Sequence, residues 1–221
     1  MATRITSVLI GISFRKAFRI LDDTGAIFDK LLYENGEKYF DAKYFPRIEY
    51  GGFEKGLRND ETGNYLKLTS DNVVYCHHIS KCADEDPEIQ AVIERVNKAI
   101  VPFLIEEYRL EISRIGMVFT VDVDNKKLDR FKNKFFKDNV DVSAFRFSIP
   151  SATPAGIREK DSQDYYNTIY TISREGDKYV ISFDFQEYFK PLKPSWRECR
   201  ADAFFAKARQ EFADNLVKEL E

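Results

Sequence analysis

Both histidines of the chain and two of its three cysteines fall in one run, Tyr75-Cys76-His77-His78-Ile79-Ser80-Lys81-Cys82. Thiolate and imidazole are zinc donors, but zinc sites draw ligand pairs from two separated places, and the chain has no second pair. On a strand, adjacent side chains point to opposite faces, so His77 and His78 are expected to diverge. The run therefore reads as architecture, with one or both histidines able to line a pocket. Asp122 and Asp124 form the second candidate. Two carboxylates two residues apart at a strand end project to one side and can share a divalent cation beside a phosphate. An acidic hairpin would complete such a two-metal site, but Lys178 follows Asp177, and aspartates after a buried strand commonly end it and cap the next helix.

A third constellation is cationic. Lys126, Arg130, Lys134 and Lys137 recur at helical spacing opposite Leu128, Phe131 and Phe135, with Lys127 and Lys132 beside them and only Asp129 and Asp138 to offset the charge. Lys190, Lys193, Arg197 and Arg200 make a second basic stretch. Side by side, the two would form a phosphate-binding strip whose affinity falls steeply with salt. A solvated helix face is the plainer reading. No glycine-rich phosphate loop, serine nucleophile elbow or His-Glu-x-x-His helix occurs. With two adjacent histidines, acid-base chemistry would have to run on carboxylates or lysines, and nothing marks such a set. No catalytic residue and no cofactor is assigned.

The elements that would position these groups follow from periodicity. Val8, Ile10, Ile12 and Phe14 share one face of a strand from Arg4 to Phe14, as Met117, Phe119, Val121 and Val123 do in a strand from Ile112 to Val123. Asp23 to Tyr33 predicts a helix with Ile27, Phe28, Leu31 and Leu32 on one side, capped by Asp22 or Asp23 and ended by Gly36. Tyr44 to Tyr50 predicts a strand, Gly51 to Gly63 a mobile polar loop, and Tyr65 to Thr69 with Val73 to Ile79 a hairpin about Ser70, Asp71 and Asn72. A long helix begins near Pro87, carries Ile89, Val92, Ile93, Val96, Ile100, Leu104 and Ile105 inward, and should kink or break at Pro102.

In the second half, Lys126 to Lys137 predicts a helix, Val140 to Ile149 a strand, and Pro150 to Asp164 a flexible loop. Tyr165 to Ser173 and Tyr179 to Phe185 predict a hairpin through Glu175, Gly176 and Asp177. Ser195 and Glu198 fit a capping box for a final helix with Phe204, Phe205, Ala208, Phe212, Leu216 and Leu220 buried. The fold class is α+β: two pseudo-repeated β-α-β-β-β-α halves, residues 1–109 and 110–221, with mostly antiparallel sheets, helices on one face, and the halves packed as one body.

At 221 residues, 43% hydrophobic and 32% charged, the composition is that of a folded protein with a real core. The 19 Phe and 12 Tyr suit sheet faces. A net charge of −3 and a pI near 5.6 supply no global field toward nucleic acid or anionic membrane. No apolar run approaches the roughly 20 residues that span a bilayer, and Met1 to Thr6 lacks a signal-peptide core. The three cysteines, Cys76, Cys82 and Cys199, do not make a disulfide framework. A cytoplasmic protein without membrane contact is expected.

Several segments resemble a sporadically distributed family of uncharacterised prokaryotic α+β proteins. They are the hairpin Tyr65 to Tyr75, the central Ser113-Arg114-Ile115-Gly116-Met117-Val118-Phe119, similar to an Arg-Ile-Gly-Leu-Arg-Tyr strand, the closing strand Tyr179 to Tyr188 with Asp184 at the matching place, and the last helix. The resemblance brings no established activity. It implies an α+β body linked to prokaryotic defence or mobile-element gene neighbourhoods. The functional expectation is a non-enzymatic protein that binds a macromolecule or another copy of itself. The alternative is a nucleic-acid or nucleotide-binding protein that uses Lys126, Lys127, Arg130, Lys134 and Lys137, with Asp122 and Asp124 as metal ligands.

Overall fold

The computed structural model describes residues 4–34, 40, 43–48, 55–80, 85–124, 128, 144–152, 163–175 and 178–220. Period-two alternation builds its two middle strands, β1 (Arg4–Phe14) and β6 (Ile112–Val123). They pair antiparallel, Val8 opposite Phe119 and Ile10 opposite Met117. The remaining strands are β2 (Tyr44–Ile48), β3 (Lys55–Asn59), β4 (Tyr65–Leu68), β5 (Asn72–His78), β7 (Ala144–Ala152), β8 (Tyr165–Glu175) and β9 (Lys178–Lys193). All join one nine-stranded sheet in the order β2-β3-β4-β5-β1-β6-β9-β8-β7. Every neighbouring pair is antiparallel.

The helices are α1 (Arg19–Asp22), α2 (Thr24–Asp29) running into a π-helical turn at Lys30–Glu34, α3 (Glu85–Arg95) continued by a π-helical segment Val96–Glu106, α4 (Ala201–Phe212) continued by Ala213–Val217, and α5 (Lys218–Leu220). A 3-10 turn, Trp196–Cys199, precedes α4. Their buried residues join the inward-facing strand residues in a single core cluster. Aromatic rings knit α4 to the sheet. Phe212 stacks on Phe119 at 4.4 Å and meets Phe183 edge-on at 5.8 Å, and Phe204 stacks on Phe185 at 5.7 Å. Each such burial is worth about 1.5–3 kcal/mol, and together they fix which face of the sheet the helices take.

Several local expectations are corrected. Part of the stretch read as a mobile loop, Gly51 to Gly63, is strand β3, whose Leu57 is fully buried. A Cβ on Gly56 would sit 2.5 Å from the Leu66 carbonyl oxygen, so this glycine permits close strand approach and is not a flexible joint. Four strands, not three, therefore separate α2 from α3. Pro102 does not interrupt its helix. It lies inside the π-helical segment, where Glu107 N–H donates to Pro102 O and Leu110 N–H to Ile105 O, five residues back in each case. β7 runs on past the expected end at Ile149 through Pro150 to Ala152, and β9 continues past Phe185 to Lys193.

The expected capping box does not form. Ser195 Oγ donates to the Glu198 carboxylate at 3.2 Å, and no side chain caps the turn it opens. α4 instead starts after Arg200, in the left-handed region at φ 49°. No side-chain hydrogen bond from Asp23 caps α2.

Candidate macromolecule-binding face

With the helices on one side, the other face of the sheet is described by cross-strand rows. The register lines up Asn72, Ser13, Arg114, Tyr188 and Tyr165 in one row. Next come Lys67, Val74, Gly11, Gly116, Gln186 and Asn167, then Tyr65, Cys76, Leu9, Val118, Asp184 and Ile169. His78, Ser7, Thr120, Ser182 and Thr171 follow. Antiparallel partners share a face, so these rows form one surface. Cys76, Ile169 and Val180 are buried on it yet lie outside the core cluster. Leu9, Val118 and Thr120 remain half-exposed. Among the described residues no helix packs over this face.

A hydrogen-bonded ladder crosses its middle. Arg114 Nη2 donates to Ser13 Oγ at 2.9 Å, and Ser13 Oγ to Asn72 Oδ1 at 3.4 Å. Arg114 Nη1 donates to Tyr188 Oη at 3.3 Å while the guanidinium lies 5.5 Å from the Tyr188 ring centroid. Tyr188 O–H donates to Gln186 Oε1 at 2.8 Å, and Gln186 Nε2 to Asp184 Oδ2 at 2.6 Å. Tyr165 stacks on Tyr188 with centroids 4.7 Å apart and planes 1° off parallel, and is 38% exposed.

Gly116 lies beneath the ladder, where an added Cβ would make only ordinary van der Waals contacts. A Cβ there would meet Gln186 Cγ at 3.5 Å and Asp184 Oδ1 at 3.6 Å. Arg114, Gly116 and Asp184, quoted above for the family resemblance, thus converge on one patch although Asp184 is far from the others in sequence. No motif or spacing in the sequence marks Tyr188, Gln186 or Tyr165 as site residues. Their signal is the register of β9 beyond Phe185: alternation stops at the polar pair Gln186-Glu187, and only the resemblance carries the strand on to Tyr188.

The other sequence candidates lie elsewhere. Asp122 sits on the same face, opposite Arg4 and Val180, and Asp124 is exposed just after β6, its carbonyl accepting from Leu128 N–H at 2.9 Å. Among the described residues no three His, Cys, Asp or Glu side chains gather as a metal site. Lys126, Lys127, Arg130, Lys134 and Lys137 lie outside the described residues. In the second basic stretch Lys193 is engaged, its Nζ 2.9 Å from Asp164 Oδ2 with both side chains nearly buried. It is therefore not a free phosphate-binding cation.

The histidines diverge as strand geometry requires. His78 is exposed on the open face, and burial lowers its pKa, with His77 and Arg58 adding to the effect. His77 faces the helices. Asn64 Nδ2 donates to His77 Nδ1 at 3.0 Å, which leaves Nε2 as the donor to Glu88 Oε2 at 2.5 Å. Asn64 Oδ1 accepts from His78 N–H at 2.7 Å, orienting that amide. Tyr75, fully buried, lies 3.4 Å from His77 Nδ1 and 3.3 Å from Tyr44 Oη, and accepts from Arg95 Nη1. Burial pushes the Tyr75 phenol pKa far up, so it stays protonated. Cys76 and Cys199 are buried free thiols, both raised in pKa chiefly by burial, which makes them poor nucleophiles.

No protein family matches the chain, and no curated protein matches it. Among solved structures it is similar to Methanococcus jannaschii TBP at 14% identity, over 99% of each chain with a TM-score of 0.27. It is also similar to the di-domain ARO/CYC StfQ from the steffimycin biosynthetic pathway at 10% identity, over 96% of this chain and 98% of that one with a TM-score of 0.24. Superpositions this poor carry no conclusion about this chain.

Proposed function

We propose that the chain works by binding, and that the sheet face over which no described helix packs is where a macromolecular partner or a second copy of the chain docks. One observation carries the reading: half-exposed apolar residues, Leu9 and Val118, run across the middle of that face between a hydrogen-bonded Arg114 ladder and a row of hydroxyls. An apolar strip with a polar rim is the composition of an interface. The strand order supports reading the body as duplicated, with β5, β4, β3 and β2 running outward from β1, and β9, β8 and β7 from β6. The resemblance noted in the sequence directs the search for a partner to prokaryotic defence and mobile-element gene neighbourhoods.

A photocrosslinking residue at Thr120, in the native cells, tests the reading. Crosslinks to a discrete partner or to a second copy are expected, and they should vanish when Val118 is changed to Glu. A chain that crosslinks to nothing from Thr120 and runs as a monomer would refute it.

A second reading, a nucleic-acid partner, is favoured by the Tyr165–Tyr188 stack with the Arg114 guanidinium over it, since bases stack on such platforms. Anisotropy with labelled oligonucleotides at low and high salt decides it. Salt-sensitive binding lost in Arg114→Glu is expected, and no binding at low salt would end this version.

A further inference from the structure

Behind the Tyr165–Tyr188 pair, on the helix side of the sheet, lies a group of charges that the binding reading does not use. Glu187 is 9% exposed, opposite Tyr166 on β8 and Ile115 on β6, and among the described residues nothing hydrogen-bonds its carboxylate. Next to it, Asp164 closes a tie across the sheet end. Its Oδ1 accepts from Lys190 N–H at 2.6 Å, its Oδ2 lies 2.9 Å from Lys193 Nζ, and Gln163 N–H donates to Lys190 O at 2.8 Å. The start of β8 is thereby fastened to the end of β9.

We propose that Glu187, Asp164 and Lys193 form a proton-operated clasp beneath the open face, shut while Glu187 holds a proton and loosened when it gives the proton to solvent. Two carboxylates then compete for Lys193 in a site with little water, and the tie to β8 weakens. The groups facing Glu187 are Asp164 and Tyr166 from the β8 side, Lys193 from β9, and Arg200 with the Cys199 thiol from the turn before α4. Lys207 and Glu211 of α4 stand beyond, paired at 2.8 Å, Lys207 lying 5.4 Å from the Tyr166 ring centroid. Burial, then Asp164, push Glu187 up to about 7 against the opposing pull of Lys193 and Arg200, so the clasp operates near neutrality.

Asp164 precedes Tyr165 and Glu187 precedes Tyr188, so the clasp residues and the stacked rings occupy opposite faces of the same two strand segments. Loosening the clasp displaces the stack. The inference rests on the binding reading only for that consequence, namely that docking weakens as pH rises.

Hydrogen exchange of the full chain, without any ligand, tests the clasp itself. Once intrinsic rates are divided out, opening of residues 163–168 is expected to increase by up to about tenfold per pH unit between roughly pH 5 and 7. Glu187→Gln should abolish that slope, and Asp164→Asn should move it to lower pH by removing the competing carboxylate. A wild-type profile that is flat, or a Glu187→Gln profile as steep as wild type, overturns the proposal. Should Glu187→Gln not fold, a carbon-detected titration of Glu187 in the wild-type chain replaces it. A midpoint near the ordinary carboxylate value would then be the refuting result. Because no partner is involved, failure of the docking reading leaves this outcome intact, and the reverse also holds.

Discussion

His77 and Glu187 occupy comparable places on opposite flanks of the sheet, each projecting toward the helices from the strand next to a middle one. Around His77 nearly every polar atom has a partner: Asn64 on one ring nitrogen, Glu88 on the other, and Tyr75 held between Tyr44 and Arg95. Arg95 lies over both the Phe40 and Tyr75 rings, at 5.5 and 5.2 Å, although its buried Nε finds no acceptor among the described residues. Around Glu187 the partners among the described residues are charges and not hydrogen bonds. A network of directional bonds fixes geometry. A carboxylate held among charges has its proton affinity set by them, so the second arrangement responds to pH.

The comparison is broken most severely at Tyr75. Tyr75→Ala removes a fully buried ring that the network surrounds, and should cost about 3–5 kcal/mol, seen as a lower denaturant midpoint at unchanged slope. A loss under about 1 kcal/mol would show that the network tolerates its own centre being removed.

Next in size is Glu187→Gln. A carboxylate raised from 4.5 to about 7 in the folded chain binds its proton more tightly there than when unfolded. Stability therefore falls as pH climbs from the unfolded value to the folded one. The variant should gain on the order of 1–3 kcal/mol at pH 8 and almost nothing at pH 4. Denaturation curves at the two pH values check this, and a gain of equal size at both would mean that the charge is irrelevant.

His77→Ala should lose about 1–2 kcal/mol by leaving Asn64 and Glu88 without their shared partner. Glu88→Gln should lose less, because its side chain is 32% exposed. Equal losses would mean that the pair acts as an ion pair and not as a tether. The smallest effect is expected at Arg15 and Glu111, paired at 3.1 Å with side chains 74% and 45% exposed. Arg15→Ala should shift stability by no more than about 0.5 kcal/mol, which sets the scale for a bond lacking burial.

How far these features could be read from residues alone depended on burial. β1 and β6 are legible almost to the residue because one face is buried and the other is not, so alternation is clean. β3 is not legible: Leu57 is its single large apolar residue, and Gly56 is set there by strand spacing, which no local pattern announces. The end of β9 is masked by Gln186 and Glu187, polar residues that are buried because of tertiary partners. The same blindness covers the site. His77 and His78 could be seen to diverge, but Arg114 in its ladder bonds residues 74 and 101 positions away, and only the sheet register brings them together.

Pairing β1 with β6 also bears on how the chain is made. During synthesis, one edge of β1 stays unsatisfied until β6 has emerged, about a hundred residues later. An unpaired edge of this kind invites pairing with other chains, and closing so distant a contact is slow. Nascent chains halted before residue 112 should therefore recruit a chaperone at that edge, and release it only once the second middle strand is available to seal the seam.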